Sequence, residues 1–408
     1  MKKTPSSMRP HIGIFGRRNA GKSRLINAMT GQDLAIVSET PGTTTDPVGK
    51  AMEILPLGPV FIVDTAGLDD EGELGTKRIE RSYRVLGHTD LIVLVSEPDR
   101  FGSIERAFIE RMLAREEKMM VVFSKMDINE KNKESEEFLH IHKIPYIYTS
   151  SQTGENIRRL RYRLARMIPE VISSDIILRD LIGRNDIVIH VIPIDSAAPK
   201  GRIILPQEQA LRDTLDAGGI SVCIQTDELK ETLNVLNRDP ALVVTDSQAI
   251  GAVDFIVPKH IKVTTYSILF SRLKGDLVKF IEGLRVIDEL QDNDEIIIAE
   301  ACTHHTQADD IGRYKIPAWL EEFTGKKLKF TVNAGKMLHK DISNAKLIVQ
   351  CGGCMVNRKE ILSRIESAEK SDIPITNYGI IISHMHNALE RTLAPFEEAG
   401  SIYRDIVR

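Results

Sequence analysis

Long hydrophobic runs are missing from this sequence. No apolar stretch approaches the roughly 20 residues that a helix needs to cross a bilayer, so no membrane partner is expected. An excess of one charge is missing too: 54 Lys and Arg face 58 Asp and Glu, for a formal net charge of −4. That balance supplies no overall basic field for nucleic acid, which is likewise not expected as a partner. Cysteine is scarce. Four in 408 residues cannot make a disulfide scaffold, and metal-binding or buried thiols in a reducing cytoplasm are expected instead. One Trp and an aromatic fraction of 5% argue against a stacking platform for single strands. The opening MKKTPSSMRPH has two lysines but no apolar stretch behind them, and reads as a flexible lead-in rather than a signal peptide.

What is present is enough chain for two or three domains, each able to bury a core. The first chemistry comes early. The apolar strand HIGIF runs into Gly16-Arg-Arg-Asn19-Ala20-Gly21-Lys22-Ser23, and the helical pattern RLINAMTG follows. This is GxxxxGK(S/T) between a strand and a helix, the setting that gives the motif its mechanism. Glycines let backbone N–H groups turn inward around phosphate oxygens at a helix N-terminus. Lys22 is expected to neutralise the β- and γ-phosphates, and Ser23 to offer its hydroxyl to magnesium.

Four further loops follow in order. Pro41-Gly42-Thr43-Thr44-Thr45-Asp46 precedes a strand pair, and PVFIVDTAG sets Asp64 and Gly67 at a strand's end. Asp64 is expected to reach magnesium through water, and the Gly67 N–H to sense the γ-phosphate. MMVVFSKMD ends with Ser124-Lys125-Met126-Asp127, and IPYIYTSSQTGENI places Ser150 and Ser151 after another strand. Over about residues 8–170 these loops resemble the guanine-nucleotide domain of the TrmE–Era–EngA–Septin-like GTPases. The resemblance implies GTP and GDP as ligands, Thr44 as a magnesium ligand, and Asp127 as acceptor for the guanine N1 and N2 donors. Ser124 departs from the family's usual Asn, which implies weakened affinity with guanine preference kept. The resemblance also makes Asn19 a K⁺ ligand, with that ion supplying charge beside the phosphates. Leu68 stands where another GTPase branch has a water-orienting Gln, so hydrolysis by that route is expected to be slow, and the K⁺ at Asn19 is expected to stimulate it. The charged loop DDEGELGTKRIERS after Leu68 offers no identifiable general base.

The middle of the chain alternates strand and helix: DIVIHVIPID, EQALRDTLDAG, ISVCIQTDE, LKETLNVL, ALVVTDS, then SQAIGAV leading to a strand DFIVP. That alternation predicts a small parallel sheet. Cys223, between Val222 and Ile224, is expected to be a buried inert thiol. Without chemistry of its own, this module is expected to serve assembly, with a homodimer formed through its sheet.

The last segment begins with the helical YSILFSRLKGDLVKFIEGLRVIDEL and continues as strands EIIIAEA, KLKFTV and KLIVQ, with helices PAWLEEFTG and RKEILSRIESAEK. IPITNYGIIISHMHNAL reads as a strand ending near His384 and His386, two histidines expected at a helix start or in the core. Cys302-Thr-His304-His305 follows the first strand, and Gln350-Cys351-Gly-Gly-Cys354 follows the third. Loops at the carboxyl ends of strands are where ligands collect in α/β sheets. Cys302, Cys351 and Cys354 with His304 make a sound Cys3His zinc site, and the same thiolates could equally hold three irons of a 4Fe–4S cluster.

Together, a TrmE-like GTPase domain, a middle α/β module and a Cys-x-His…Cys-x-x-Cys domain resemble HydF, the GTPase maturases of FeFe-hydrogenase, over essentially the whole chain. The resemblance implies an α/β protein of three domains: a P-loop GTPase with a doubly wound sheet (1–172), a dimerisation-type parallel-sheet module (173–265) and a 4Fe–4S module (266–408). It implies a scaffold in the cytoplasm that receives a transient di-iron subcluster precursor from two radical-SAM maturases and delivers it to apo FeFe-hydrogenase. Cys302, Cys351 and Cys354 are then cluster ligands. Many members have His just before the Cys-x-x-Cys pair, where this chain has Gln350, so the fourth iron falls to His304, His305, Asp309, Asp310 or water. The competing expectation is an RNA- or ribosome-assembly GTPase with a structural zinc, against which stand the acidic charge and the lack of an RNA-binding motif.

Overall fold

Uninterrupted apolar runs form the parallel strands, because such strands are covered on both faces. In the computed structural model, residues 6–31, 48–69, 83, 85–171, 176–194, 203–301, 310–335, 338, 342–354 and 356–407 are described. The chain divides into two units, Met1–Ser173 and Ser174–Arg408.

In the first unit, β1 (His11–Phe15), β4 (Leu91–Ser96) and β5 (Met119–Phe123) are buried at every position. With β2 (Val48–Ile54), β3 (Gly58–Asp64) and β6 (Tyr146–Tyr148) they make, among the described residues, a six-stranded sheet of order β2-β3-β1-β4-β5-β6. Only β2 runs antiparallel, as the outer strand of a pair with β3. The order reverses at β1, so the loops at its carboxyl end open at a topological switch point. The helix Ile157–Val171 turns Ile157, Leu160, Leu164 and Ile168 into the core at helical spacing, while Arg158, Arg159 and Arg166 stay outside.

The second unit carries two four-stranded sheets among the described residues. One has the order β10-β9-β7-β8, from β7 (Ile187–Val191), β8 (Ile220–Ile224), β9 (Leu242–Thr245) and β10 (Val263–Thr265). The other has the order β12-β11-β13-β14, from β11 (Glu295–Glu300), β12 (Lys329–Ala334), β13 (Ala345–Gln350) and β14 (Ile375–Asn377). Every strand pair in both is parallel. Val188 and Leu242 of one sheet share a hydrophobic core with Ile297 and Leu347 of the other. The helix Tyr266–Lys274, entered directly from β10, contributes Ile268, Leu269 and Phe270 to that core.

Three local expectations need correction. DFIVP is not a strand: residues Ile250–Ile256 are a helix, with Val253 buried and Phe255 92% exposed, and the next strand is Val263–Thr265. The second half of IPITNYGIIISHMHNAL is the helix Tyr378–Met385, started by Asn377, whose side chain accepts from Gly379 N at 2.9 Å. Ile380, Ile381 and Ile382 are all buried, and an apolar run covered on all sides does not distinguish helix from strand by its pattern. Cys223 is exposed, because β8 is the outer strand of its sheet and its residues are only partly covered. No helix among the described residues is long and apolar enough to cross a membrane.

Candidate functional site

The phosphate loop leaves β1 through a tight passage. Gly16 has φ +143°, and a Cβ there would sit 2.1 Å from the Val95 carbonyl oxygen, so no other residue fits. Gly21 then starts the helix Lys22–Thr30 in a left-handed conformation. The helix N-terminus therefore faces the loop's interior, where its N–H groups suit an anion. Lys22 Nζ donates to the Gly16 and Arg17 carbonyls at 2.9 and 2.8 Å, folded back over the loop it would serve. Asn19 is exposed on the loop at φ +63°, and Ala20 is buried beneath it.

Ser23 and Asp64, one from the helix start and one from the end of β3, are brought together: Ser23 Oγ donates to Asp64 Oδ2 at 3.4 Å. Burial raises the Asp64 pKa, and the Lys22 charge and the Ser23 hydrogen bond oppose that rise. Asp64 Oδ1 is buried with no hydrogen-bond partner among the described residues. A hydroxyl and a carboxylate whose second oxygen is buried and unsatisfied fit a hard divalent cation. Gly67 is buried just beyond, and Leu68 N donates to Gly16 O at 3.3 Å, joining this loop to the phosphate loop. Thr44 and most of the charged loop after Leu68 lie outside the described residues.

The loops after β5 and β6 meet the same place. Ser124 is 3% exposed, and its Oγ donates to the Ala20 carbonyl at 2.7 Å. Ser124 thus ties the loop after β5 to the phosphate loop. Lys125, at φ +57°, pairs with Glu97 at 2.8 Å, while Asp127 is exposed and open to a base. Ser150 is fully buried and its Oγ accepts from Gln152 N and Thr153 N at 3.2 and 3.1 Å, with Ser151 half-buried beside it. Two supports escaped sequence reasoning. Arg17 is clamped by Glu105, which is wholly buried, through bonds of 2.7 and 2.8 Å. Asp69 accepts from Arg18 N at 2.6 Å.

In the second unit, β11 and β13 are neighbours, and the register brings Ala299 opposite Gln350. Cys351 N donates to Ala299 O at 2.9 Å, and Ala301 N donates to Cys351 Sγ at 3.2 Å. The residue immediately before Cys302 therefore touches the sulfur of Cys351. Cys302, His304, His305 and Asp309 lie outside the described residues, and among the described residues no three potential ligands gather. Cys351 and Cys354 are both free and half-buried. Asp310 is described, and its Oδ1 accepts from Arg313 N at 3.0 Å. His384 is partly buried and bonded to Tyr403 Oη at 2.9 Å, and His386 packs edge-on against Trp319.

The cysteine loop is held by buried cations. Lys274, 5% exposed at the end of helix Tyr266–Lys274, donates to the carbonyls of Gly353, Cys354 and Val356 at 3.0, 3.2 and 2.9 Å. Burial lowers its pKa to about 8, against the opposing pull of the two thiols and Glu360. Burial raises the Cys351 pKa, opposed by the Gly353 and Ala301 N–H groups and the Arg364 guanidinium. Two buried cations beside these sulfurs fit a group that carries net negative charge on thiolates. A lysine before a glycine at a helix end gave no sequence signal of this role.

The first unit's loops define a P-loop GTPase domain, and residues 11–125 match the family model described as 50S ribosome-binding GTPase. Residues 177–275 match the hydrogen maturase F dimerization domain, and residues 278–395 its tetramerization domain. The chain belongs to the hydrogen maturase F family. GTPase Der of Kosmotoga olearia is 33% identical over 189 residues, covering 42% of this chain and 42% of that protein. The tRNA modification GTPase MnmE of Legionella pneumophila is 33% identical over 159 residues, covering 38% and 34%. The chain thus spans less than half the length of these curated relatives. The G domain of the T. maritima FeoB iron transporter is 25% identical, covering 39% of this chain and 98% of that one, at a TM-score of 0.31, too low to add to the assignment.

Proposed function

We propose that this protein is a GTP-hydrolysing scaffold that holds a 4Fe–4S cluster on Cys302, Cys351 and Cys354 and passes a di-iron subcluster precursor to apo FeFe-hydrogenase. The observation that carries the reading is the contact of Ala301 N with Cys351 Sγ, which sets the residue before Cys302 against the first cysteine of the pair where the two central strands β11 and β13 end. A phosphate loop that gathers Lys22, Ser23 and Asp64 supports the nucleotide half. The two radical-SAM maturases are the proposed source of the precursor, and the cytoplasm the proposed location.

In the GTPase domain, Ser23 and Thr44 would hold Mg²⁺, with Asp64 acting through water, and Asn19 would hold K⁺ beside the phosphates. These ions supply positive charge against the charge that develops on the transferred phosphoryl group. Lys22 leaves the Gly16 and Arg17 carbonyls for the β- and γ-phosphates, and Gly67 N–H meets the γ-phosphate. Asp127 accepts from guanine, with Lys125, Ser150 and Ser151 lining the base. Leu68 has no group to orient water, so turnover is slow. In the second unit the cluster would rest on the three thiolates, and an exchangeable fourth position supplies the place where a second iron unit could attach.

Three modules, 1–172, 173–265 and 266–408, divide this labour. The middle one makes a homodimer through β8, an outer strand whose edge is unpaired among the described residues and suits a second copy, and whose Ile220 is 45% exposed.

Anaerobic reconstitution with iron and sulfide tests the reading. A brown protein with comparable iron and sulfide, and a reduced cluster seen by EPR, is expected. Cys302→Ser, Cys351→Ser or Cys354→Ser should abolish hydrogenase activation while GTP hydrolysis continues. A colourless protein with one tight zinc ion would instead favour the assembly-factor reading. Exchange of Na⁺ for K⁺ should speed hydrolysis; equal rates would remove Asn19 from the potassium role.

A further inference from the structure

Gln350, the last residue of β13, is wholly buried next to the first cysteine of the pair. Both ends of its amide are engaged. Arg364, 3% exposed on the helix Arg358–Lys370, donates from Nη1 to Gln350 Oε1 at 2.7 Å. A guanidinium only donates, so the amide oxygen must face it and the NH2 end must face away. That end lies 3.0 Å from the Cys351 carbonyl and 3.4 Å from Cys351 Sγ. Flipping the amide would set NH2 against guanidinium and remove both contacts. Arg364 is itself fixed, donating from Nη2 to Gly335 O and lying 3.7 Å from Glu360. The same sulfur receives Ala301 N at 3.2 Å.

We propose that Gln350 is a positioning residue which, oriented by Arg364, donates an N–H···S hydrogen bond to Cys351 and so sets the reduction potential of the cluster bound there. The inference rests on the cluster reading above. Hydrogen bonds to ligand sulfur draw electron density from it and favour the more negative, reduced cluster, which raises the potential. The arrangement also decides what Gln350 is not. Its oxygen is committed to Arg364, so it is not available as an iron ligand.

The test is an EPR-monitored redox titration of the reconstituted full chain and of two variants. Gln350→Met removes both amide contacts. Gln350→Glu keeps a partner for Arg364 but has no N–H to give the sulfur. Each should shift the midpoint to more negative potential by about tenfold in the reduced-to-oxidised ratio, which is about 59 mV for one electron. Glu should shift it at least as far as Met. Thermal unfolding of each apo-protein checks folding, and if the Met variant does not fold, the Glu variant decides alone. A wild-type midpoint in a folded, cluster-loaded variant overturns the inference and leaves the cluster reading standing. A wild-type chain that takes up no cluster overturns the cluster reading, and this inference with it.

Discussion

Lys22 in the first unit and Lys274 in the second make the same kind of contact, an ammonium on the carbonyls of a loop at the carboxyl end of a parallel strand. Lys22 belongs to the loop it touches, is half-buried and bonds to two carbonyls. Lys274 comes from a helix far away in sequence, is almost wholly buried and bonds to three. The first contact is a waiting position, since phosphate oxygens are better partners than neutral carbonyls. The second is a staple, since no ligand need displace it and its loss would leave buried acceptors unsatisfied. One geometry therefore occurs both in a phosphate loop and in a loop that carries two cysteines.

The largest expected effect falls on the waiting lysine. Lys22→Ala should lower kcat for GTP hydrolysis on the order of 10²–10³-fold, as loss of a cation that stabilises transition-state charge does. The melting of the apo-protein should move little, because Lys22 serves a ligand and not the core. A large drop in melting with near-normal hydrolysis would reverse the roles assigned to the two lysines.

The second unit's habit of burying polar groups has a pH consequence. His190 in β7 is fully buried, with Nδ1 3.1 Å from Tyr266 Oη and Nε2 3.2 Å from Thr214 Oγ1. Burial lowers its pKa from 6.5 to about 4. The unfolded chain takes up this proton first, so the stability tied to neutral His190 is present above pH 6.5 and is lost as pH falls towards 4. The full loss is about 3 kcal/mol. Calorimetry of the full chain across that window should show the Ser174–Arg408 unit losing stability on acidification, and a His190→Gln variant should flatten the slope. An unchanged slope in the variant would assign the acid sensitivity elsewhere.

The staple comes next. Lys274→Met, similar in length and without donors, should destabilise the second unit by about 1–3 kcal/mol through the orphaned carbonyls of Gly353, Cys354 and Val356. Thermal unfolding of the apo-protein measures it, and GTP hydrolysis should persist. A melting point equal to wild type would make Lys274 a bystander and dissolve the contrast with Lys22.

The first unit was open to sequence reading because its chemistry is local. Gly16 to Ser23 is one continuous stretch, and the backbone that cradles phosphate is specified by the glycines within it. The cysteine loop of the second unit is held by residues far from it in sequence, and these supports carry no motif. Lys274 looks like any helix-ending lysine, and Arg364 like a solvated residue of a charged helix, until β13 and the helices around it are packed. The same limit explains the errors of pattern. Residues 380–382 are apolar without period because the helix that holds them is buried, and Cys223 sits in an apolar run whose strand happens to be outermost in its sheet.

Ser124 marks the border between these two kinds of information, since the sequence flagged the substitution but not what the hydroxyl does. Its bond to Ala20 O at 2.7 Å means that the loop after β5 helps to fix the phosphate loop. Ser124→Ala leaves the buried Ala20 carbonyl without that donor, a loss of about 1 kcal/mol. If the tie pre-shapes the site, GTP affinity measured by calorimetric titration should fall roughly fivefold. Ser124→Asn is the sharper probe. Its amide can donate to Ala20 O and still offer a second polar group towards the base, so affinity should meet or exceed wild type. Should Asn bind GTP more weakly than Ser, the close fit of the small hydroxyl against Ala20 and Ser96 is what this site has settled on, and the departure from the family's usual residue is adaptation rather than loss.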